Sequence, residues 1–190
     1  MRKRIAILIS GKGSNMLAIA RNCAVGLIDA EVSFVASDNL EAPGLTEAEK
    51  LGLKTHFIPY NDQGKYKAEE NLEGLILDSR TEWLILAGFM RVISPGFVSR
   101  MRDRIINIHP SLLPAFPGKN SIRRALDHGV VLTGVTVHMV DEQVDHGKII
   151  AQEPVRIFPG DTAEDLEERI HQTEHILYTR ILIQLLGPSR

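Results

Sequence analysis

The chain has 190 residues, with 22 Lys and Arg against 24 Asp and Glu and a formal net charge of −2. A hydrophobic fraction of 44 % beside 24 % charged residues describes an ordered globular chain of one-domain length, spanning 1–190 without a linker. The near-balance of charge argues against nucleic acid or an anionic membrane as the main partner, and the lone Cys23 excludes an intrachain disulfide and fits a reducing, cytoplasmic compartment.

The opening basic and apolar run is broken by Gly11-Lys12-Gly13, too early for a signal peptide, and no stretch reaches the roughly 18 apolar residues that a membrane helix needs. Ile5 to Ser10 is nearly all apolar, the pattern of a strand buried on both faces. A glycine turn follows, then a helix over Ser14–Ala24 and a strand over Val32–Ala36. Leu45–Leu51 reads as a short helix and Thr55–Ile58 as a strand. Ala68, Leu72, Leu75 and Ile76 form a helical stripe, and Trp83–Ala87 is another buried strand. This alternation predicts an α/β, Rossmann-like fold, a mostly parallel sheet with helices on both faces. Ligands of such sheets bind beyond the carboxyl ends of the strands, here the loops after Ser10, Ala87 and His109.

The second half reads as a strand over Arg104–His109, a proline-rich loop over Pro110–Gly118 and a short helix over Ile122–His128. Two strands, Gly134–Val140 and Lys148–Ile157, flank an acidic loop, Asp141–Gly147, of polar and exposed character. A long helix over 162–186 closes the chain, with Thr162 as N-cap and Glu164 and Asp165 in its first turn.

Four places have residues suited to chemistry. Ser10-Gly11-Lys12-Gly13-Ser14-Asn15 joins a strand to a helix, where free backbone N–H groups can bind phosphate; a tight turn capped by Ser14 is the alternative. It matches neither the dinucleotide fingerprint nor the P-loop. Asn107 and His109 share one strand face, offering a donor to a developing oxyanion and a proton carrier, or else two satisfied loop residues. An aspartate near His109 would favour the imidazolium, but spacing does not select Asp145 over Asp141 or Glu142. Glu174 borders the apolar stripe Leu166, Ile170, Leu177, Ile181, so it needs a partner, either a ligand's ammonium group or a neighbouring Arg or Lys. His171-Gln172-Thr173-Glu174-His175 also fits a zinc-peptidase pattern, yet no Asp, Glu, His or Cys follows His175 to complete a metal site.

Five segments taken in order go further: Ile7–Asn15, Leu86–Arg91, Asn107–Pro114 with Phe116–Gly118 behind it, Gly134–His138 with Val144-Asp145, and Gln172–His175. On these the sequence resembles the phosphoribosylglycinamide formyltransferases, folate-dependent enzymes of purine synthesis, from Ile5 to about Ile183. The Asn107-Ile108-His109-Pro110-Ser111-Leu112-Leu113-Pro114 run is specific to folate-dependent formyl transfer.

The resemblance implies a single formyltransferase domain, a formyltransferase fold, and a metal-independent enzyme. Its small-molecule substrates are glycinamide ribonucleotide and the co-substrate 10-formyltetrahydrofolate. Gly13, Ser14 and Asn15 would hold the ribose phosphate, and Glu174 the amine. Met90, Arg91, Val92 and Ile93, with Asp141, Glu142, Gln143 and Val144, would line the folate pocket. Asn107 would bind the formyl oxygen, His109 would move the proton, and Asp145 would raise the pKa of His109. The implied reaction is direct attack of the amine on the formyl carbon through a tetrahedral intermediate.

The family often has a histidine after the Pro117-Gly118 pair; here the run is Lys119-Asn120-Ser121, and Asn120 or Ser121 is the expected replacement. An arginine near the folate tail is also missing, with Lys65 or Lys67 as substitutes. Methionyl-tRNA formyltransferase and formyltetrahydrofolate hydrolase share the Asn-His-Asp core but add domains for which this length leaves no room. Hydrolysis of 10-formyltetrahydrofolate is the alternative enzyme reading, and a non-catalytic folate- or nucleotide-binding module the alternative outside enzymes. The sequence has no signal for an oligomeric state.

Overall fold

A computed structural model describes residues 2–187. The elements are β1 (Lys3–Ile9), α1 (Ser14–Ala24), β2 (Ala30–Ser37), α2 (Pro43–Lys50), β3 (Thr55–Phe57), α3 (Tyr60–Gln63), α4 (Lys65–Asp78) and β4 (Trp83–Leu86). There follow α5 (Pro95–Arg100), β5 (Ile105–His109), α6 (Ser121–His128), β6 (Leu132–Met139), β7 (Ile149–Arg156) and α7 (Ala163–Leu186). The seven strands form one sheet in the order β3-β2-β1-β4-β5-β6-β7. β3 through β5 are mutually parallel, while β6 runs antiparallel to β5 and β7 antiparallel to β6.

The α/β architecture expected from the alternating pattern is present. Two short helices, α3 and α5, were not anticipated. Each spans barely a turn or two, too short to show helical periodicity, and α5 is defined by its cap: Ser94 accepts from Phe97 N–H, with Pro95 in the first turn.

The buried strands alternate between two cores. Ile5, Ile7 and Ile9 pack with Met16, Ile19 and Cys23 of α1 and with Leu166, Ile170, Leu177 and Ile181 of α7. Ala6 and Leu8 point the other way, onto Ala68, Leu72 and Ile76 of α4 and Phe97 and Val98 of α5. In β5, Ile106 and Ile108 join the first core and Ile105 the second, so alternation places Asn107 and His109 on the second face at the strand's end.

Helix α7 is fixed at two points. Its start has a capping box: Thr162 Oγ1 accepts from Asp165 N–H at 3.1 Å, and Asp165 Oδ2 accepts from Thr162 N–H at 2.9 Å. Midway, the fully buried Tyr178 hydroxyl points at the carbonyls of Leu86 and Ile106, each 3.0 Å away, which ties the helix to the ends of β4 and β5. The strand order reverses between β1 and β4, and the crevice at that reversal is where open α/β sheets bind ligands.

Candidate active site

A cavity of about 1130 Å³ opens at the carboxyl ends of β1, β4 and β5. Its walls include the segments after each of those strands, the Asp141–Asp145 loop and the first half of α7. Of the residues singled out from the sequence, the structure brings these to this one cavity: Gly13, Ser14, Asn15, Met90 to Ile93, Asn107, His109, Asp141 to Asp145, and Glu174.

At the end of β5, His109 is buried with its ring held on both sides. Its Nδ1 lies 3.3 Å from Asp145 Oδ2 and its Nε2 3.0 Å from the Phe116 carbonyl. Asp145 is the one acidic residue of its loop that turns inward onto His109. Asp141 instead pairs outward with His146 at 2.8 Å, and Glu142 is exposed. Asp145 reaches this position with a left-handed backbone, φ 52°, a conformation that costs energy for a residue with a side chain. Gly118 N–H anchors the same carboxylate at 2.7 Å. The loop is thus exposed as expected around Glu142–Val144, but the Asp145 carboxylate is not.

The residue missed as a chemical candidate is His138. It stands directly across the β5–β6 ladder from Asn107, and its Nε2 is 3.1 Å from Asn107 Nδ2. Burial pushes the His138 pKa below the ordinary value, outweighing the Met139 carbonyl and Asp145, which act the other way. The neutral ring donates from Nδ1 to the Met139 carbonyl at 2.8 Å, which leaves Nε2 to accept from the Asn107 amide. The strand pairing alone could have revealed it, because only the register makes the two residues neighbours.

At the cavity's other end, α1 begins at Gly13, which has φ 71°. No side chain caps this helix, so the N–H groups of its first turn are free of side-chain partners and lie at the cavity. Ser14 is the first helical residue rather than the cap. A Cβ on Gly13 would meet Met16 Cε at 3.1 Å and Gly44 Cα at 3.2 Å, which restricts the position to glycine.

Glu174 is only 4 % exposed. Asn15 Nδ2 donates to its Oε2 at 2.8 Å, and among the described residues no Arg or Lys pairs with it. Burial therefore pushes its pKa up to about 7, with the Asn15 hydrogen bond pulling back. Two further polar atoms here, Asn15 Oδ1 and His175 Nε2, are buried and without partners. The site is rich in acceptors and short of a donor or cation.

Apolar side chains rim the opening: Met90 and Val92 on one side and Val144 on the other are each more than half exposed. Two expected substitutions are corrected. Lys65 and Lys67 stand exposed at the start of α4 and do not line the cavity, which leaves Arg91 as the cation of that wall. Asn120 and Ser121 do line it, but neither hydrogen-bonds to Asn107, His109 or Asp145; Asn120 is used for its left-handed backbone, φ 57°, at the entry of α6. His171 and His175 reach the cavity wall without forming a group of three potential metal ligands among the described residues. No described helix is long and apolar enough to cross a membrane.

The chain is similar over nearly its full length to several known proteins. It is 45 % identical over 97 % of its length to the trifunctional purine biosynthetic protein adenosine-3 of Drosophila pseudoobscura, of which it spans 14 %. It is 38 % identical to phosphoribosylglycinamide formyltransferase of Escherichia coli, covering 94 % of this chain and 84 % of that one. The crystal structure of glycinamide ribonucleotide transformylase 1 from Geobacillus kaustophilus superposes with a TM-score of 0.94 at 42 % identity, covering 98 % of this chain and all of the other. The profile of the formyl transferase family matches residues 3–182. With that match over almost the whole sheet and cavity, the chain belongs to the formyl transferase family.

Proposed function

We propose that the protein transfers the formyl group of 10-formyltetrahydrofolate to the primary amine of glycinamide ribonucleotide; its relatives include proteins named phosphoribosylglycinamide formyltransferase and glycinamide ribonucleotide transformylase. One observation supports this above the others: a single cavity holds the Asn107–His109–Asp145 cluster and a buried carboxylate, Glu174, without a cation. Binding alone needs no such pair of stations.

Each end of the cavity suits one part of the substrates. The uncapped start of α1 at Gly13, Ser14 and Asn15 presents backbone donors and the helix dipole to a phosphate. Glu174 and the unpartnered Asn15 Oδ1 would accept from the amine. The apolar rim of Met90, Val92 and Val144 would cover the flat pterin and benzoyl faces. Arg91, Ile93, Asp141, Glu142 and Gln143 complete that wall.

In the reaction a C–N bond forms between the amine and the formyl carbon, the bond from that carbon to N10 breaks, and the amine's proton ends on N10. Asn107 would give its second Nδ2–H to the developing oxyanion, its first being held by His138. His109 would move the proton, exchanging the Phe116 carbonyl at Nε2 for the substrate. Asp145 would hold the ring in place and balance its charge when protonated. Alignment of two substrates in one cavity supplies the rest. No metal is part of this proposal.

The test is tetrahydrofolate release from 10-formyltetrahydrofolate with and without glycinamide ribonucleotide. Release that requires the ribonucleotide supports the transferase. Equal release without it makes the protein a hydrolase, and no release makes it a binding module.

A further inference from the structure

The Met90–Ile93 segment has an unusual problem of support. It leaves β4 at the cavity mouth with Met90 57 % and Val92 52 % exposed, so burial holds it only at Ile93, which joins the second core. Its carboxyl end is secured by Glu69, 1 % exposed on α4, which accepts from the backbone N–H and the hydroxyl of Ser94. Its amino end is secured by Asp38, which follows β2 and does not line the cavity. Asp38 Oδ1 accepts from the Ser10 hydroxyl at 2.5 Å, and Ser10 Oγ in turn accepts from Met90 N–H at 2.8 Å. Asp38 Oδ2 accepts from Arg91 Nε at 2.5 Å. Arg91 Nη2 goes on to the Asn61 side-chain oxygen at 2.8 Å, with its guanidinium over the Tyr60 ring.

One nearly buried carboxylate therefore restrains two successive residues of the segment, Met90 through Ser10 and Arg91 directly. Charge-assisted hydrogen bonds of this kind are about twice as strong as neutral ones, and Asp38, at 8 % exposure, is shielded from competing water. The anion-binding turn has supports of its own. Gly44 N–H donates to the Gly11 carbonyl at 3.0 Å, and Asn15 is tied to Glu174.

We infer that Asp38 is a positioning residue: through Ser10 and Arg91 it holds the Met90–Ile93 wall in the form that receives the folate, and not the turn that receives the ribonucleotide. The inference rests on the proposed role of that wall in binding 10-formyltetrahydrofolate.

Two measurements on the full chain test it, using Asp38→Ala, Asp38→Asn and Ser10→Ala. The first is amide hydrogen exchange without ligand. Asp38→Ala and Ser10→Ala are expected to speed exchange over Met90–Ile93 while Gly11–Asn15 stays as in the wild type. The second is steady-state kinetics. The KM for 10-formyltetrahydrofolate is expected to rise roughly tenfold in Asp38→Ala, the scale of a lost charged hydrogen bond. Asp38→Asn keeps one acceptor and should fall between Ala and wild type, with the ribonucleotide KM unmoved in both Asp38 variants.

Unchanged exchange, or exchange that rises equally across the sheet, overturns the inference. So does a local rise in exchange with both KM values moving together. If the wild type shows no formylfolate-dependent turnover while exchange still rises over Met90–Ile93, the folate role fails and the support given by Asp38 stands.

Discussion

Asn107 Nδ2 and His138 Nε2, 31 residues apart in sequence, lie 3.1 Å apart across the β5–β6 ladder. The second imidazole nitrogen of His138 is committed to the Met139 carbonyl, and burial keeps the ring neutral. The amide of Asn107 is thereby oriented with its nitrogen toward the sheet's interior and one N–H left for a ligand. An asparagine that stabilises an oxyanion must present its nitrogen, not its oxygen, and His138 decides which.

Replacing His138 with Phe should therefore lower kcat roughly tenfold or more, since a misoriented oxyanion donor costs up to about 10²–10³. Both KM values should change little. A wild-type kcat in this variant would show that Asn107 needs no such partner.

His109→Ala is expected to reduce kcat by about 10²–10⁴, the usual range for a lost proton carrier, with binding of both substrates retained by equilibrium titration. Asp145→Asn should reduce kcat less, because the Gly118 N–H bond to its carbonyl oxygen can persist while the charge beside His109 is lost. If Asp145→Asn proved as active as the wild type, the inward turn of its loop would have no role in turnover.

Glu174 makes two predictions with opposite consequences. The folded protein keeps a proton on this carboxyl up to about pH 7, whereas the unfolded chain releases it near 4.5. Stability is therefore highest below 4.5 on this account and falls as the pH rises through 7, by on the order of 3 kcal/mol. Glu174→Gln should be more stable than the wild type at pH 8, and the advantage should vanish toward pH 4.5, as measured by urea unfolding at both values. The same variant should bind the ribonucleotide more weakly than the folate is affected. The wild type is expected to show a rise in ribonucleotide KM below pH 7, where its carboxylate becomes neutral, and the variant should lose it. Equal losses for both substrates would mark Glu174 as structural only.

Gly13→Ala places a side chain at φ 71° and against Met16 and Gly44. The left-handed penalty alone is roughly 1–2 kcal/mol. The expected outcome is a lower melting temperature together with a higher ribonucleotide KM, because the strain is relieved by moving the first N–H groups of α1. A loss of stability with an unchanged KM would separate this turn from the phosphate.

Tyr178→Phe removes a buried hydroxyl that links α7 to the ends of β4 and β5, and leaves two carbonyls with one partner fewer. A destabilisation of about 1–2 kcal/mol is expected by chemical denaturation, with little change in either KM.

Much of this protein was legible before folding. The nearly unbroken apolar run of Ile5–Ser10 already has the pattern of a central strand, because a strand covered on both faces has no polar side. Thr162 and Asp165 announce the start of α7, because a capping box is made by residues three apart. The ordered segments around Asn107, His109 and Glu174 point to formyl transfer because the family profile is written in local runs of sequence. Residue spacing left the rest open, and the tertiary structure gives its physical cause. Asp145 rather than Asp141 or Glu142 meets His109 because a left-handed backbone turns that one side chain inward. His138 orients Asn107 only through the strand register, and Asn15 meets Glu174 across 159 residues. Asp38 reaches Ser10 and Arg91 only because β2, β1 and β4 lie side by side. Local spacing records what a segment can become; which distant side chains share a hydrogen bond is set by the packing of the sheet that brings them together.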